Sequence, residues 1–318
     1  MATSAAKGTD PGAHGPRVVA IDLGSNTCRV IEYDCRTRTF GREFERIVKT
    51  ADRMHETGRI DDAAVGRIVS ALKEADAIFG FADVRVKAVT TAAMRMASNR
   101  DEVLGRIARE TGVRFEIIDA DTEAAYTLEA VRGRLRSLDL DADSLVLVDV
   151  GGGSTEVIFY RDGIRTSASF PIGIVTLAQQ CDTPADVRRL LETKLKPVRE
   201  FVRSYYETHG RVDTFVSTAG TPTTIAAFLQ GMTYDTYDVK KINGFRLTRD
   251  DCQKALDALL AMEEAERARY VGVGRETLIV AGVVIVEAFY GVLGFDISVV
   301  IDDGVREGVA ISMCGGRE

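Results

Sequence analysis

The chain has 318 residues, enough for two domains that each bury a core. Hydrophobic residues make up 45% of it and charged residues 28%, the balance of an ordinary globular protein. The formal net charge of −7 excludes the broadly basic surface that is typical of nucleic-acid-binding proteins. An anionic ligand would therefore need local arginines, lysines, backbone N–H groups or a metal ion.

The N-terminal residues, the cysteines and one apolar segment indicate where in the cell the protein is expected. Residues 1–16 lack the apolar run of a signal peptide and are predicted to form a flexible tail. The most apolar segment begins at Leu278, but Glu287 lies inside it, which favours a buried helix over a membrane span. The five cysteines form no close C-x-x-C pair, so we expect reduced thiols and a cytoplasmic location.

Hydrophobic periodicity predicts the same order of elements twice. In the first half, strands are predicted in a hairpin from Val18 and over residues 39–49, 84–90 and 115–119. Helices are predicted over residues 61–81, 91–97 and 100–111, and over a segment capped by Asp121 that ends near Ala130. Asn99 and Glu102 have the spacing of a capping box for the third of these.

Residues 133–144 are predicted to be a linker, after which the pattern begins again. The second half has predicted strands at 145–150, 155–161 and 164–170, from Thr214, and at 297–301. Its predicted helices cover 221–229, 248–260 and 275–293, and a last helix starts at Gly304. The basic segment from Val187 is predicted to be a helix with a solvated face, although it could also extend a polyanion track.

The two halves are related by an internal repeat. VVAIDLGSNTCRVIEY begins at Val18 and LVLVDVGGGSTEVIFY begins at Leu145, so an offset of 127 residues aligns Asp22 with Asp149. Each copy reads as a β-hairpin whose turn of Gly, Ser, Asn or Thr exposes backbone N–H groups. Such turns bind anions, and an acidic residue before each turn can hold a cation beside the anion. Two facing copies would grip a phosphate chain and its metal from both sides.

Duplicated hairpins of this kind resemble the actin, Hsp70 and sugar-kinase superfamily, and other segments narrow the resemblance. TTAAMRMASNRDEVLGRIARETGVRFEIIDADTEAA from Thr90, VDVGGGSTEV from Val148, STAGT from Ser217 and DDGVREGV from Asp302 are similar to the exopolyphosphatase and guanosine pentaphosphate phosphohydrolase (Ppx/GppA) family. The resemblance runs from Val18 to Met313. It implies an α/β fold of two duplicated actin-like (ribonuclease H-like) domains, residues 17–132 and 133–318, with an active-site cleft between them and with the last helix packed back on the first domain.

The resemblance also implies roles for individual residues. Glu123 falls at the catalytic carboxylate, which accepts a proton from the water that attacks phosphorus. Arg95 falls at an arginine suited to bidentate phosphate binding. Asp149 and Glu156 match the magnesium-associated acids, and Asp22 is placed to hold the water shell of the metal. The implied phosphate-binding residues are Gly24, Ser25, Asn26, Thr27, Gly151, Gly152, Gly153, Ser154, Thr155, Gly220 and Thr221.

Two segments depart from the family pattern. Thr122 and Ala125 stand beside Glu123, where the family has a run of acids before the catalytic residue and an arginine after it. Arg53 stands in the segment Ala51-Asp52-Arg53-Met54, where the family often has G-E-G-L or A-D-G-L. These changes bear on substrate preference. Asp302 has two interpretations, a cap for the last helix or a residue of the site.

The resulting hypothesis is a Mg²⁺-dependent exopolyphosphatase, with Mn²⁺ as an alternative metal. Its expected partners are inorganic polyphosphate, pppGpp or ppGpp, and a second copy of the chain in a homodimer; neither nucleic acid nor a membrane is expected. The chain ends where a two-domain core would end, so we expect a preference for short polyphosphate. Two alternatives stay open: an ATP-using kinase or ATPase, in which STAGTPTT from Ser217 would contact adenosine, and a non-catalytic polyphosphate or alarmone sensor.

Overall fold

The structure is a computed structural model that describes residues 16–315. Its strands are β1 (Arg17–Leu23), β2 (Thr27–Asp34), β3 (Thr39–Ile47), β4 (Arg85–Thr90), β5 (Phe115–Ile117), β6 (Ser144–Val150), β7 (Thr155–Arg161), β8 (Ile164–Phe170), β9 (Thr214–Thr218), β10 (Phe245–Thr248) and β11 (Ile297–Val300). The predicted tail lies outside the described residues, apart from Pro16.

The helices of the first half are α1 (Met54–Thr57), α2 (Asp62–Phe79), α3 (Ala92–Met96), α4 (Arg100–Thr111) and α5 (Ala120–Ser137). Those of the second half are α6 (Ile174–Ala178), α7 (Pro184–Lys194), α8 (Lys196–His209), α9 (Gly220–Leu229), α10 (Val239–Ile242), α11 (Arg249–Ala261), α12 (Glu264–Val271), α13 (Leu278–Leu293) and α14 (Val305–Ser312), with a short 3₁₀ helix at Tyr234–Thr236.

The strands form two sheets of the same plan, as the repeat predicted. The first sheet has the order β3-β2-β1-β4-β5 and the second has β10-β11-β9-β6-β7-β8. In each sheet the first three strands of the repeat are antiparallel; the next strand joins the first one in parallel, and a further strand joins that one in parallel. The apolar residues alternate toward a core on each side of the sheet because successive strand residues point to opposite faces. β10 is an extra antiparallel strand at the edge of the second sheet.

The last helix of each repeat crosses to the sheet of the other half. Leu128 and Val131 of α5 pack against β6 in one apolar cluster with Leu145 and Leu147. Val309 of α14 packs on the first sheet, in a cluster that also contains strand residues of β1 and β2. The two helices touch so closely that a Cβ on Gly308 would collide with the backbone of Tyr126. These two helices therefore tie the halves together.

Several local predictions differ from the structure. Helix α5 is capped by Asp119, whose Oδ1 accepts a hydrogen bond of 2.7 Å from Thr122 N, whereas Asp121 instead pairs with Arg165 at 2.7 Å. Residues 133–137, expected to open a linker, complete α5. The side chain of Asn99 does not cap α4; its Oδ1 accepts a hydrogen bond from Ile60 N.

The basic segment from Val187 is also different from its prediction. It forms two helices, α7 and α8, because Pro197 cannot donate the backbone hydrogen bond that one continuous helix would need there. Within residues 16–315, no helix is both long enough and apolar enough to cross a membrane. The apolar segment at Leu278 is the buried helix α13, as predicted.

One cysteine pair contradicts the prediction of reduced thiols. Cys35, just after β2, and Cys314, just after α14, form a disulfide with a Cα–Cα distance of 5.3 Å, whereas Cys28, Cys181 and Cys252 are free. The two partners are 279 residues apart, so no local spacing motif marks the pair. The bond fastens the crossing helix α14 to the first sheet. The reduced-thiol argument for a cytoplasmic location does not hold for these two residues.

We expect the Cys35–Cys314 bond to stabilise the fold, since cross-linking distant residues restricts the unfolded chain. In urea unfolding of air-oxidised protein, Cys314→Ser should lower the free energy of unfolding by about 2–4 kcal/mol. Cys181→Ser is the matched control and should change it little. Titration of all five cysteines as free thiols in the unfolded, unreduced wild type would show that the bond does not form.

Candidate active site

The two glycine-rich turns have the same backbone arrangement. In the first, Gly24 N donates to Thr27 O at 2.9 Å; in the second, Gly151 N donates to Ser154 O at 2.9 Å. Beside the turns, strand pairing places Asp22 opposite Arg29 and Asp149 opposite Glu156. The offset of 127 residues therefore aligns an arginine of one hairpin with a glutamate of the other.

The two turns face each other across one cleft and touch. A Cβ on Gly152 would lie 2.8 Å from Ser25 Cβ, and a Cβ on Gly153 would lie 3.0 Å from Ser25 Oγ. Glycine is therefore required in the second turn so that the first can approach. Both turns line the same cleft, which encloses about 1070 Å³ including its open mouth.

The backbone N–H groups at the turn tips are unused. Among the hydrogen bonds of residues 16–315, none has the backbone nitrogen of Ser25, Asn26, Gly152, Gly153 or Ser154 as its donor. One carbonyl of the first turn is fixed by the residues after β3: Asn26 O accepts hydrogen bonds of 2.9 Å from both Val48 N and Lys49 N. Rigid turns with free N–H donors form an anion-binding surface.

Glu123 lies in the first turn of α5, lines the cleft and is 8% exposed. Arg95 Nη1 donates to Glu123 Oε2 at 2.7 Å and to the Ile118 carbonyl at 2.9 Å. No hydrogen bond in the described part of the chain ends on Glu123 Oε1. Arg95, predicted as a phosphate ligand, thus holds one oxygen of Glu123 and leaves the other free.

Four acidic side chains lie around the turns, two of them buried and two half-buried. Burial raises the pKa of Asp149 to about 7, helped by the charge of Glu156, and burial raises the pKa of Asp22 to about 6. Burial, Glu156 and Asp149 together raise the pKa of Glu123 well above its usual range, although Arg95 opposes this. Burial also raises the pKa of Glu156. The charged forms of these carboxylates are therefore destabilised unless a cation joins them.

The residues fit a divalent cation. Asp22 Oδ1 is buried and has no hydrogen-bond partner within the described residues, which suits an oxygen that binds a cation or its water. Among the described residues, no three His, Cys, Asp or Glu side chains form a complete site by themselves. Mg²⁺ does not need such a site, because it usually takes one or two carboxylates and completes its shell with water and phosphate oxygens.

A second group of charges, which the sequence did not reveal, lies at the same cleft. Arg29 and Arg275 both bind Glu45, at 2.9 and 2.8 Å, and both line the cleft. Burial alone would raise the pKa of Glu45, but the guanidinium groups of Arg29, Arg275 and Arg306 lower it to about 2. A Cβ on Gly220 would lie 3.8–3.9 Å from the Arg29 and Arg275 side chains, so both face the start of α9.

The repeat alignment is a signal that could have found Arg29, because it pairs this residue with Glu156. Arg275 and Glu45 carry no such signal, since they are 230 residues apart. The contact between them also joins the two halves of the chain.

The comparisons with known proteins agree with this geometry. The model of the Ppx/GppA phosphatase family matches residues 40–316. The chain belongs to this family. Exopolyphosphatase 2 of Mycobacterium tuberculosis is 31% identical, covering 94% of this chain and 99% of that protein. Exopolyphosphatase 1 of Mycobacterium leprae is 27% identical, covering 93% and 88%.

Solved structures show the same fold. The PPX-GPPA enzyme of Aquifex aeolicus superposes with a TM-score of 0.71 at 33% identity, covering 93% of this chain and 99% of that one. An exopolyphosphatase of Cytophaga hutchinsonii gives a TM-score of 0.82 at 22% identity, covering 95% and 99%. The predicted pair of actin-like α/β domains is confirmed.

Two side chains that the Ppx/GppA resemblance marked, those of Thr155 and Thr221, pack inside the protein. Thr155 is fully buried and its Oγ1 donates to Ile172 O at 2.5 Å, so its side chain is not available to phosphate. Thr221 lines the cleft but packs its side chain against Gly282 of α13, while Gly220 begins α9. Arg53 points to solvent, with 69% of its side chain exposed, and pairs with Glu56.

Asp302 belongs to the cleft and does not cap the last helix. Gly304 occupies the capping position of α14, and its N–H donates to Glu307 Oε2 at 2.8 Å. Asp302 lines the cleft, and its Oδ2 accepts a hydrogen bond of 2.8 Å from the Tyr237 hydroxyl. Burial raises its pKa to about 7, although Arg29 opposes the shift. The capping interpretation is wrong.

Because the turns touch, Gly152→Ala should force them apart. Its new methyl group would lie 2.8 Å from Ser25 Cβ and 3.3 Å from Val175 Cγ2. We expect the free energy of unfolding in urea to fall by about 1–3 kcal/mol, the usual cost of overpacking. Gly133→Ala is the control, since it lies in α5 with nothing within 4 Å of the new methyl, and it should not destabilise. Equal stability of both variants would contradict contact between the turns.

Proposed function

We propose that this protein is a Mg²⁺-dependent exopolyphosphatase that removes the terminal phosphate of inorganic polyphosphate, with the conversion of pppGpp to ppGpp as a second activity. The observation that carries this proposal is the position of Glu123, in one cleft with two opposed turns whose N–H groups are unused. The exopolyphosphatases among its relatives support the same substrate class. We further propose a cytoplasmic location and a homodimer.

The chain's own donors would bind the terminal phosphates. The turn N–H groups of Ser25 and Asn26 approach from one side and those of Gly152 and Gly153 from the other. The guanidinium groups of Arg29 and Arg275 add positive charge to the wall beside Gly220. Phosphoryl transfer depends mainly on positioning and charge stabilisation, which these groups supply.

Asp149 and Glu156 would hold the Mg²⁺ ion, and Asp22 would hold water molecules of its shell. When bound, Mg²⁺ neutralises phosphate charge that the buried carboxylates would otherwise repel. Mn²⁺ prefers similar oxygen ligands and is the alternative. Thr127 Oγ1 donates to Asp149 Oδ2 at 3.4 Å, which links this carboxylate to the helix that carries Glu123.

Glu123 would act as the general base. Arg95 and burial hold the carboxylate in place, and Oε1 is free to accept a proton from a water molecule. As that proton leaves, the water oxygen forms a bond to the terminal phosphorus, and the bond from this phosphorus to the bridging oxygen breaks. The electron pair departs with the shortened chain, which leaves orthophosphate as the second product.

One panel of substrates distinguishes the proposed exopolyphosphatase from the two alternatives, an ATP-using kinase or ATPase and a non-catalytic sensor. Phosphate release is measured from short polyphosphate, long polyphosphate, pppGpp and ATP, each with Mg²⁺ and with excess EDTA. The proposal predicts Mg²⁺-dependent release from polyphosphate and weaker release from ATP. Faster release from ATP would favour an ATPase. Binding of polyphosphate without any release would favour a sensor.

The Glu123→Gln variant tests the base. It keeps the shape of the side chain but cannot accept the proton, so kcat should fall by about two to four orders of magnitude while polyphosphate binding persists. Glu129→Gln is the matched control, because it makes the same change on the exposed side of the same helix. Near-normal turnover by a folded Glu123→Gln protein would remove Glu123 from the mechanism.

We also propose a preference for short chains. The basic face of α7 is partly neutralised, since Arg188 donates to Gln253 Oε1 at 3.0 Å and to Glu287 Oε2 at 3.1 Å. Phosphates remote from the cleft should therefore add little binding energy, and kcat/KM should gain little as the polyphosphate chain lengthens.

A ladder of polyphosphate lengths, assayed at two salt concentrations, measures this dependence. Exposed charge pairs are screened within about 10 Å at 0.1 M salt, so any contribution of the α7 face would be sensitive to salt. A steep rise of kcat/KM with length that is abolished by Arg188→Ala with Arg189→Ala would reveal a long-chain track on this helix.

A further inference from the structure

The carboxylate of Glu156 is held by two hydroxyl groups on the same oxygen. Ser154 Oγ donates to Glu156 Oε1 at 2.8 Å, and Ser169 Oγ donates to the same atom at 2.6 Å. Ser169 lies directly opposite Glu156 in the pairing of β7 with β8. None of the hydrogen bonds within residues 16–315 ends on Glu156 Oε2. One oxygen is therefore fully engaged and the other is free.

This asymmetry restricts how Glu156 can bind a cation. A carboxylate oxygen has two lone-pair positions, and the two hydroxyls use both of them on Oε1. A cation can then be bound through Oε2 alone. Mg²⁺ is small, demands near-octahedral geometry and uses few protein oxygens, whereas Ca²⁺ takes six to eight oxygens and often binds both oxygens of one carboxylate.

We propose that Ser169 is a positioning residue that, together with Ser154, limits Glu156 to one free oxygen and makes the cleft selective for Mg²⁺ over Ca²⁺. This inference rests on the proposed function, because it concerns the cation of that same site. Ser169 touches neither the cation nor the substrate; it acts through Glu156.

The exposure of Ser169 makes this role testable. Ser169 is exposed and lies on the edge strand β8, so removal of its hydroxyl leaves no cavity in the core. Hydrogen bonds to a charged acceptor are short and strong, as this one is at 2.6 Å. Loss of the hydroxyl therefore frees one lone pair of Oε1 while the fold is preserved.

The experiment measures binding of Mg²⁺ alone and of Ca²⁺ alone by isothermal titration calorimetry on the full-length chain, for the wild type and three variants. Ser169→Ala should weaken Mg²⁺ binding by about 10-fold, the lower end of the effect of removing a group that orients a metal ligand. Its Ca²⁺ binding should weaken less or become tighter, so the preference for Mg²⁺ falls. Ser169→Thr restores the hydroxyl and should restore the preference.

Ser167→Ala is the matched control. It lies on the same strand two residues away, and its hydroxyl is 3.4 Å from Asp121 Oδ1, not beside Glu156. It should bind both cations as the wild type does. In parallel, Ca²⁺ should inhibit Mg²⁺-dependent phosphate release from polyphosphate at a lower concentration in Ser169→Ala than in the wild type.

An unchanged preference in a folded Ser169→Ala protein, or an equal loss for both cations, would overturn the inference. If circular dichroism shows that Ser169→Ala is unfolded, Ser154→Ala decides, since it must shift the preference in the same direction. If the wild type releases phosphate only with Mg²⁺ but Ser169→Ala keeps the preference for Mg²⁺ over Ca²⁺, this inference alone is refuted. A wild type that neither binds Mg²⁺ nor needs it would refute the proposed metal chemistry as well.

Discussion

The structure depends on one electrostatic constraint: carboxylates are concentrated in a cleft that is proposed to bind a polyanion. Glu123, Asp149 and Glu156 lie close enough that the last two raise the pKa of the first, and the chain as a whole carries a net charge of −7. Burial and mutual repulsion both oppose the charged forms of these carboxylates. In the proposed function, a cation and the phosphates it accompanies would relieve this repulsion together. The same constraint explains why the turn tips keep unused N–H groups.

Duplication supplied two similar hairpins, and their divergence at one position made them complementary. Arg29 and Glu156 occupy equivalent places beside equivalent aspartates, Asp22 and Asp149. The first hairpin thus contributes a cation and the second contributes another carboxylate. A symmetric pair with two glutamates would add repulsion, and one with two arginines would lack the second acid of the proposed metal site. The asymmetry therefore places a guanidinium group and an additional carboxylate at equivalent positions of the two hairpins.

The crossing helices connect this chemistry to the fold. Glu123 lies at the start of α5, which packs on the second sheet, and α14 returns to the first. Arg134 near the end of α5 forms a bidentate pair with Asp303, at 2.7 and 3.0 Å, so the loop before α14 is fixed to the helix that carries Glu123. A shift of one half relative to the other would therefore move Glu123 relative to the turns. The disulfide at the end of α14 adds a covalent tie to the same connection.

The sequence predicts those features that repeat or that follow from local pattern. The offset of 127 residues and the alternation of apolar residues were enough for the repeated strands of both sheets and for the opposed turns, but not for the edge strand β10. Contacts between distant residues were not predictable from local pattern: Arg95 binds Glu123, 28 residues away, and Arg275 reaches Glu45 from 230 residues away. The capping residue of α5 also involves a contact between residues far apart in the sequence. Asp119 and Asp121 are both suitable caps, and Arg165 of β8 engages Asp121, which leaves Asp119 for the helix. A local sequence pattern thus indicates the candidate residues for each role, and the packing of the two halves determines which of them takes it.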